Sequence, residues 1–440
     1  MSLFEGQLVE LTVEKPASGG RMIARHYGQV VLVRGAIPGE RVRALVERAE
    51  KRLAYAVTKD VIEASPDRRS EAADPLCGGA LYSHVSYPRQ LGIKSDVIRD
   101  AFARIGRYPI ERAIDVAPSP EQAYRMRARF HVHGERAGFY REGTHQLCDA
   151  AATRQLRPEA ILAVTRMVET AARDLAVGSI AIAENIAGDQ RAAHLELAPD
   201  RGQTRVRPGA EVLRRLVDAA NLRGLSARDS STGELLTVGE PIVLEPLGAL
   251  TDGRVADGVL QRQAESFFQG NRFLLPQLVN AVADLAPDAG EVIDLYAGVG
   301  LFSVVLAAIG CLEVTAVEGD HTSGIDLREN ARPHEPRLKP HVEGVEGFLA
   351  RRSRTAATVV VDPPRTGMSA DALGALVTLS PDRIVYVSCD PPTLARDARR
   401  LLDAGYGLAS LRAFDFFPNT PHVEGLALFA RAGRLDKRLE

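Results

Sequence analysis

The sequence predicts a multidomain α/β protein, and chain length and apolar patterning lead to this expectation. The 440 residues amount to about three ordinary domains. Short β-rich runs with turn signals fill residues 1–62, whereas apolar strands alternate with helical stretches in residues 256–440. We therefore expect a small N-terminal β-barrel, a central α+β domain over residues 63–255 and a doubly wound C-terminal α/β domain.

The composition is that of a folded protein that works away from membranes. Hydrophobic residues make up 45% of the chain, charged residues make up 25%, and the formal net charge is -2. The net charge therefore shows no overall basic excess of the kind that indicates a polyanion partner. Evidence for nucleic-acid binding must come from local arginine patches. Neither a long apolar run nor a secretory signal is found, so we expect a cytoplasmic protein without membrane contact.

Four cysteines, at positions 77, 148, 311 and 389, are widely separated and form no CxxC pair. This spacing indicates neither a disulfide framework nor a zinc site. We therefore expect reduced, mostly buried thiols.

The N-terminal region reads as five short strands. Turn signals such as Gly19-Gly20 and Pro38-Gly39 separate them. Small barrels of this kind commonly offer a face to oligonucleotides, and arginines and lysines supply positive charge here. The predicted strands are Leu8 to Val13, Met22 to His26, Val30 to Val33, Arg41 to Glu47 and Tyr55 to Ile62.

The central region contains one stretch that favours phosphate binding. Tyr124 to Val132 alternates like a half-buried strand, which places Arg125, Arg127 and Arg129 together on one face. The alternative is an ordinary solvated sheet face. A helix is predicted over Tyr87 to Ile105, but residues 155–250 carry no motif that indicates chemistry.

A glycine-rich turn after an apolar strand indicates a nucleotide-like ligand. Asp294 precedes Gly298 and Gly300, and its negative charge would repel a pyrophosphate but suits a cation. Glu318 ends the next strand, a position from which a carboxylate can hold two ribose hydroxyls. Together these residues predict S-adenosylmethionine, with a generic nucleotide site as the alternative.

The stretch Asp362-Pro363-Pro364-Arg365 follows another apolar strand. Consecutive prolines fix the backbone and remove two amide donors, so the loop offers only carbonyls and side chains. Amine-methylating enzymes often carry an aromatic residue after the prolines. Arg365 stands there instead, which argues for a nucleophile supplied elsewhere and makes this arginine a candidate substrate contact.

Cys389 closes a strand from Arg383 to Ser388, at the kind of strand end where α/β sheets carry out chemistry. A thiolate that attacks C6 of uridine would make C5 nucleophilic enough to accept a methyl group. A base must then remove the C5 proton, and Glu424 begins the last predicted strand. The alternatives are a buried structural thiol and a solvated carboxylate.

Several stretches in this order resemble the RNA 5-methyluridine methyltransferases, which act on tRNA and 23S rRNA. They are "SFFQGNRFLLPQLV", "VIDLYAGVGLFSVVLA", "VVVDPPRTGMS", "IVYVSCDPPTLARD" and "DFFPNTPHVE". The resemblance implies a Rossmann-like methyltransferase domain, with S-adenosylmethionine contacts at Gln269, Tyr296, Glu318 and Asp362. It also implies Cys389 as nucleophile and Glu424 as proton acceptor. The pattern "GGRMIARHYGQVVLVRGAIPGERV" resembles the TRAM domain, an OB-like RNA-binding barrel.

One departure from this family concerns metal binding. Members with the N-terminal barrel often hold a four-iron cluster through four cysteines, of which only Cys77 is present here. Glu71, Ala80 and Thr153 stand near the remaining ligand positions, and Cys148 lies five residues from the last of them. We expect no iron–sulfur cluster and no metal ion.

The sequence thus predicts an enzyme that methylates C5 of a uridine in structured RNA. The alternatives are a catalytically silent RNA-binding protein that keeps the fold, and an amine-directed DNA or protein methyltransferase. We expect RNA rather than DNA as partner and a monomer. The sequence does not indicate which RNA, or which uridine in it, is methylated.

Overall fold

The structure, a computed structural model, describes residues 3–70, 73–172, 174–198, 209–286 and 290–431. A five-stranded N-terminal barrel, closed in the order β1-β2-β3-β5-β4, opens the chain. Alternating Val9, Leu11 and Val13 point into it, as a half-buried strand requires. The strands are β1 (Leu8–Pro16), β2 (Met22–His26), β3 (Gln29–Arg34), β4 (Arg41–Ala49) and β5 (Leu53–Glu63).

Two arginines, Arg68 and Arg69, hold the segment that follows the barrel against the rest of the protein. Arg68 forms an ion pair with Glu40, whose side chain is fully buried. Arg69 donates hydrogen bonds to Glu121 and Asn419. Glu71 lies outside the described residues.

Helix α1 (Tyr87–Arg104) and strand β6 (Val116–Ala117) precede the central sheet in the chain but pack on the C-terminal domain. β6 pairs in parallel with Ala413 and Phe414. The described eight-stranded sheet therefore takes one strand from before residue 256, the predicted start of the C-terminal domain.

The central domain is a seven-stranded sheet in the order β13-β12-β11-β10-β7-β8-β9. Helices α2 and α3 cover one face, where they pack on Ala128, Phe130 and Leu195. The opposite face carries polar side chains. In chain order the elements are β7 (Arg127–His133), β8 (Arg136–Tyr140), β9 (Leu147–Cys148), α2 (Pro158–Ala171), β10 (Val177–Glu184), β11 (Arg191–Leu197), α3 (Ala210–Ala220), β12 (Gly224–Asp229) and β13 (Leu235–Gly239).

Two cysteines correct the expectation of reduced thiols. Cys77 and Cys148 form a disulfide whose Cα atoms are 5.8 Å apart, with a sequence separation of 71. The fold brings them together because Cys148 pairs with Phe139 of β8, while Gly78 N donates to Tyr140 O of the same strand. Spacing along the sequence does not reveal this proximity.

The C-terminal domain contains an eight-stranded sheet in the order β18-β17-β16-β19-β20-β22-β21-β6. Hydrophobic clusters lie on both of its faces, as in a doubly wound fold. A two-stranded sheet of β14 (Ile242–Pro246) and β15 (Val259–Gln263), with the short helix α4 (Leu247–Leu250) between them, precedes it. The remaining elements are α5 (Leu275–Leu285), β16 (Glu291–Leu295), α6 (Leu301–Ala308), β17 (Glu313–Glu318), α7 (His321–Ala331), β18 (Leu338–Val342), α8 (Val345–Arg351), β19 (Thr358–Val361), α9 (Ala370–Leu379), β20 (Arg383–Ser388), α10 (Pro391–Asp403), β21 (Tyr406–Phe414) and β22 (Glu424–Arg431).

Candidate active site

Cys389 lies between the end of β20 and the start of α10. Asp390 caps that helix by accepting a hydrogen bond from Thr393 N, and Pro391 is its first residue. The thiol is half-buried and free. Burial raises its pKa to about 12, with Glu424 and Asp362 adding to the rise and Arg365 opposing it. Without ligands, the thiol therefore keeps its proton near neutral pH.

Glu424 lies beside this thiol because of strand register. β20 and β22 are antiparallel, with Ser388 paired to Gly425, so the next step of the register sets Cys389 against Glu424. The carboxyl group is 2% exposed, and its Oε1 atom has no hydrogen-bond partner among the described residues. Burial, and then the neighbouring Asp362, raise the pKa of Glu424 well above its ordinary value.

Asp362 follows β19, which is the parallel neighbour of β20. Its Oδ2 atom accepts a hydrogen bond from Gln269 Nε2 at 3.2 Å. Burial raises the pKa of Asp362 to about 7, the Gln269 hydrogen bond lowers it, and Glu318 raises it. Four separate chain segments thus converge on one sheet edge.

The glycine-rich turn after β16 adopts backbone angles that glycine favours. Gly298 and Gly300 have φ values of 57° and 92°, and Tyr296 adopts 62°. A Cβ atom at Gly298 would meet nothing within 4 Å, so the turn borders open space. Glu318 is held there by backbone amides, since its two oxygens accept hydrogen bonds from Gly298 N and Asp320 N at 2.7 and 2.6 Å.

Asp294 is fully buried where β16 meets the start of α6. Its Oδ2 atom accepts a hydrogen bond from Ser303 N at 3.0 Å, which ties the strand to the helix. Its Oδ1 atom has no hydrogen-bond partner among the described residues. Burial raises the pKa of Asp294 to about 7.

These residues fit S-adenosylmethionine. Buried carboxyl oxygens without partners, at Asp294 and Glu424, leave the site short of positive charge and of donors. A sulfonium cation supplies the charge, and an amino group and ribose hydroxyls supply the donors. Glu318 is exposed enough to accept from such hydroxyls while the backbone holds it in place.

Arg365 is exposed beside this cluster, and its charge lowers the pKa of Cys389, Glu424 and His422. It is therefore within electrostatic reach of both predicted catalytic groups. An incoming anionic substrate would meet this guanidinium at the rim of the site.

The predicted row of three arginines is not exposed as a unit. Arg125 donates to Gln155 Oε1 at 2.6 Å, and burial lowers its pKa. Arg127 donates to Glu265 O at 3.2 Å, and burial lowers its pKa to about 10. Arg129 alone of the three is exposed. The alternation is as predicted, but loops cover the first two positions.

Sequence reasoning missed the residues that hold the loop before Glu424. Gln90 and Asn419 exchange hydrogen bonds, Gln90 Nε2 to Asn419 Oδ1 at 2.9 Å and Asn419 N to Gln90 Oε1 at 2.8 Å. Buried Lys94 pairs with Asp415 of the same loop. His422 lies nearby, and burial lowers its pKa to about 4. The sequence offered one signal for these contacts, namely Lys94 on the apolar side of the helix predicted over Tyr87 to Ile105.

Comparison with known proteins identifies the family. Residues 349–432 match the model for tRNA (uracil-5-)-methyltransferases, and residues 3–58 match the TRAM domain. The 23S rRNA (uracil(1939)-C(5))-methyltransferase of Halomonas elongata is 32% identical over 95% of this chain and 89% of its own. Its counterpart in Alkalilimnicola ehrlichii is 31% identical over 96% of each chain. This chain belongs to the RNA uracil-C5 methyltransferase family.

The fold of this uracil-C5 methyltransferase also agrees with a solved structure. The Pyrococcus abyssi tRNA (uracil-54, C5)-methyltransferase, in complex with S-adenosyl-L-homocysteine, superposes with a TM-score of 0.70 at 22% identity. The match covers 96% of this chain and 99% of that chain. The predicted family, enzyme class and fold class are thereby confirmed. None of the helices in the described ranges is long and apolar enough to cross a membrane.

Proposed function

We propose that this methyltransferase transfers the methyl group of S-adenosylmethionine to C5 of a uridine through a covalent bond between Cys389 Sγ and C6. The observation that carries this proposal is the β20–β22 register, which pairs Ser388 with Gly425, so that Cys389 and the buried Glu424 follow next at the end of the same ladder. The Asp362 loop borders both groups.

In the first step, the Cys389 thiol gives up its proton to solvent, and the thiolate adds to C6 of the uridine. The electron pair of the C5–C6 double bond moves onto C5 and the C4 carbonyl oxygen, which makes C5 a nucleophile. Arg365 assists because its positive charge lowers the pKa of the thiol.

In the second step, C5 attacks the methyl carbon that S-adenosylmethionine supplies. The methyl–sulfur bond breaks as the C5–methyl bond forms, and its electron pair stays on the sulfur of the leaving S-adenosylhomocysteine. Glu424 then removes the C5 proton. The electron pair left behind rebuilds the C5–C6 double bond and expels Cys389 as a thiolate, which regenerates the enzyme. Burial prepares Glu424 for this role by raising its pKa, so that the carboxylate is a stronger base than an exposed one.

The donor would be held by residues on the first strands of the C-terminal sheet. Glu318 would accept from the ribose hydroxyls, and Asp362 and Gln269, which share a hydrogen bond, would contact the donor as well. Tyr296, Gly298 and Asp294 complete this proposed set, which was predicted from the sequence.

The proposed substrate is 23S rRNA or tRNA, because the named relatives act on one or the other. The target base must be unstacked for a thiol to reach C6, so a loop or a flipped base is required. The exposed Arg365 and Arg129 are proposed RNA contacts, and the half-buried Arg125 and Arg127 are proposed to contact RNA through the surface that the loops leave open. We also propose a cytoplasmic monomer that acts on RNA rather than DNA.

We further propose that the protein holds no iron–sulfur cluster. Such clusters need four ligands, usually all cysteine. The sulfur of Cys77 is bonded to that of Cys148, and the other two cysteines, Cys311 and Cys389, lie in the C-terminal domain. Stoichiometric iron with visible absorbance in anaerobically purified protein would contradict this.

The experiment uses RNA that contains 5-fluorouridine, because fluorine replaces the C5 proton that the base must remove and the adduct therefore cannot break down. Incubation with S-adenosylmethionine should trap a covalent complex that Cys389→Ala abolishes. Cys311→Ala, which changes a buried cysteine of the same domain, is the matched control and should still trap. With unmodified RNA, Glu424→Gln should accumulate the adduct and release product slowly. A variant that released product at the wild-type rate would show that Glu424 is not the base.

Two alternatives predict other results. A silent RNA-binding protein would bind RNA and give neither product nor adduct. An amine-directed methyltransferase would label DNA or protein and would not depend on Cys389.

A further inference from the structure

We propose that Tyr140 and His131 form a stacking platform for an unpaired base of the RNA that flanks the target uridine. This inference deepens the proposed function and rests on it. The two rings are stacked, with centroids 3.6 Å apart and an interplanar angle of 7°. Both side chains are half-buried, so ring surface remains open to a ligand.

The platform lies on the sheet face opposite to the one on which the described helices of the central domain, α2 and α3, pack. Helices α2 and α3 pack against Phe130 and Val132, which leaves Arg129 and His131 on the opposite face. Small side chains border them, since Ala181 pairs with Arg129 and Ser179 pairs with His131. Next to the two rings, this neighbouring strand therefore presents small side chains.

The charge around the platform suits a phosphate backbone. The Arg129 side chain is exposed and makes no hydrogen bond or ion pair with any residue the structure describes. His133 and His145 are exposed next to Tyr140, with His133 Nε2 3.2 Å from the Tyr140 hydroxyl and the His145 ring 5.4 Å from the Tyr140 ring. Arginine beside aromatic rings is the combination by which single-stranded RNA is held without sequence preference.

Contacts on three sides fix the hairpin that carries Tyr140. The Tyr140 carbonyl accepts from Gly78 N, and the Cys77–Cys148 disulfide closes the same edge. Glu142, two residues on, forms an ion pair with Arg34 of the barrel at 3.0 Å. The platform is thus held in place before RNA arrives, which reduces the entropy lost on binding.

The platform is continuous with the proposed active site. Arg127 lies two residues before Arg129 on the same strand face, and its guanidinium is 6.0 Å from the ring of Phe267. Phe267 is 61% exposed and stands two residues before Gln269, which contacts Asp362. A single strand that leaves the active site along β7 would reach Tyr140, whereas a duplex cannot present a base face to it.

The test measures fluorescence anisotropy of the full-length protein with a fluorescein-labelled single-stranded RNA of mixed sequence and with a blunt duplex of the same sequence. Tyr140→Ala should weaken single-strand binding by about fivefold to about a hundredfold, the range expected when one stacking partner is lost. Tyr140→Phe should bind like the wild type. Tyr108→Ala, at another exposed tyrosine, is the matched control and should change nothing.

Arg129→Gln is a second variant, and it should fold like the wild type because the Arg129 side chain is exposed. It should reduce the slope of log affinity against log salt by about 0.7, which corresponds to one lost phosphate contact on a single strand. Equal losses of single-strand and duplex binding in Tyr140→Ala would overturn the platform, as would unchanged binding in both variants.

Adduct formation with 5-fluorouridine RNA at saturating concentration separates this inference from the proposed function. Tyr140→Ala should still form the adduct there, since the tyrosine acts on binding and not on bond formation. An intact adduct with unchanged RNA affinity would overturn the platform alone. No adduct in the wild type, with weakened binding in the variant, would overturn the mechanism and support the platform.

Discussion

The Nζ atom of Lys94 and the Oδ1 atom of Asp415 form an ion pair in which neither side chain is more than 1% exposed. Lys94 also donates to Phe417 O at 3.1 Å. Burial lowers the pKa of Lys94, and the nearby Asp415 carboxylate opposes this. The pair fixes helix α1 to the loop that leads into Glu424.

Lys94→Met should lower the free energy of unfolding by about 3–5 kcal/mol, because it leaves Asp415 buried and without its partner. Chemical denaturation measures this. Adding Asp415→Leu should recover much of the loss, since both charges are then gone. Lys15→Met, which breaks the exposed pair with Asp100, is the control and should cost about 1 kcal/mol or less. A double variant no more stable than Lys94→Met would contradict this account.

Cys389 should react slowly with iodoacetamide in the ligand-free protein, because burial raises the pKa of its thiol to about 12. The rate should rise with pH up to that value, about tenfold per pH unit. Glu424→Gln removes a negative neighbour and should speed labelling, whereas Arg365→Gln should slow it. Mass spectrometry of the Cys389 peptide follows the reaction, with Cys389→Ala as the blank. Labelling at neutral pH as fast as that of free cysteine would refute the shift.

Binding of S-adenosylmethionine should release protons near pH 7. Asp294 and Asp362 have pKa values raised to about 7 by burial, so each is partly protonated there. A cation favours the ionised carboxylates and lowers these pKa values, so affinity should rise with pH through this range. Calorimetry in buffers of different ionisation enthalpy measures the protons released.

The neutral thioether S-adenosylhomocysteine is the matched ligand for that measurement, since it lacks only the sulfonium charge and methyl group. It should release fewer protons. Asp362→Asn should reduce the release caused by S-adenosylmethionine. Equal proton release for the two ligands would show that these carboxyl groups do not sense the charge.

Reduction with dithiothreitol should lower the thermal stability of the central domain. The Cys77–Cys148 disulfide closes a separation of 71 residues, and a crosslink of this kind contributes about 2–4 kcal/mol. Cys148→Ser should melt at the reduced protein's temperature and show no further response to dithiothreitol. Calorimetry measures the melting temperatures of the wild type and of Cys148→Ser with and without dithiothreitol. A wild-type melting temperature that dithiothreitol leaves unchanged would argue against the disulfide.

Local patterns in the sequence predict much of the fold and the core of the site. Cys389 and Glu424 are readable because each ends or begins an apolar strand, and neighbouring strand ends in such a sheet share one edge. The alternation around Arg127 predicts its face correctly. Strand positions and strand faces can be predicted in this way because they depend on residues close together in the chain, whereas the roles of Cys389 and Glu424 stay predictions.

The features that sequence reasoning missed depend on distant contacts. The pairings of Cys77 with Cys148 and of Lys94 with Asp415 join segments that spacing alone cannot relate. The burial of Arg125 arises from a loop at Gln155 and not from its own strand. Tertiary packing brings such residues together, and the periodic patterns of a single sequence do not reveal which distant residues will meet.

The ion pair between Lys94 of α1 and Asp415 also constrains the order in which parts of the fold can form during synthesis. Lys94 and Asp415 are 321 residues apart, so the helix leaves the ribosome long before its counter-charge exists. The barrel can close on its own strands at once. By contrast, the C-terminal sheet stays incomplete until β21 and β22 are made, and α1 must keep a charged side chain in water until Asp415 is available.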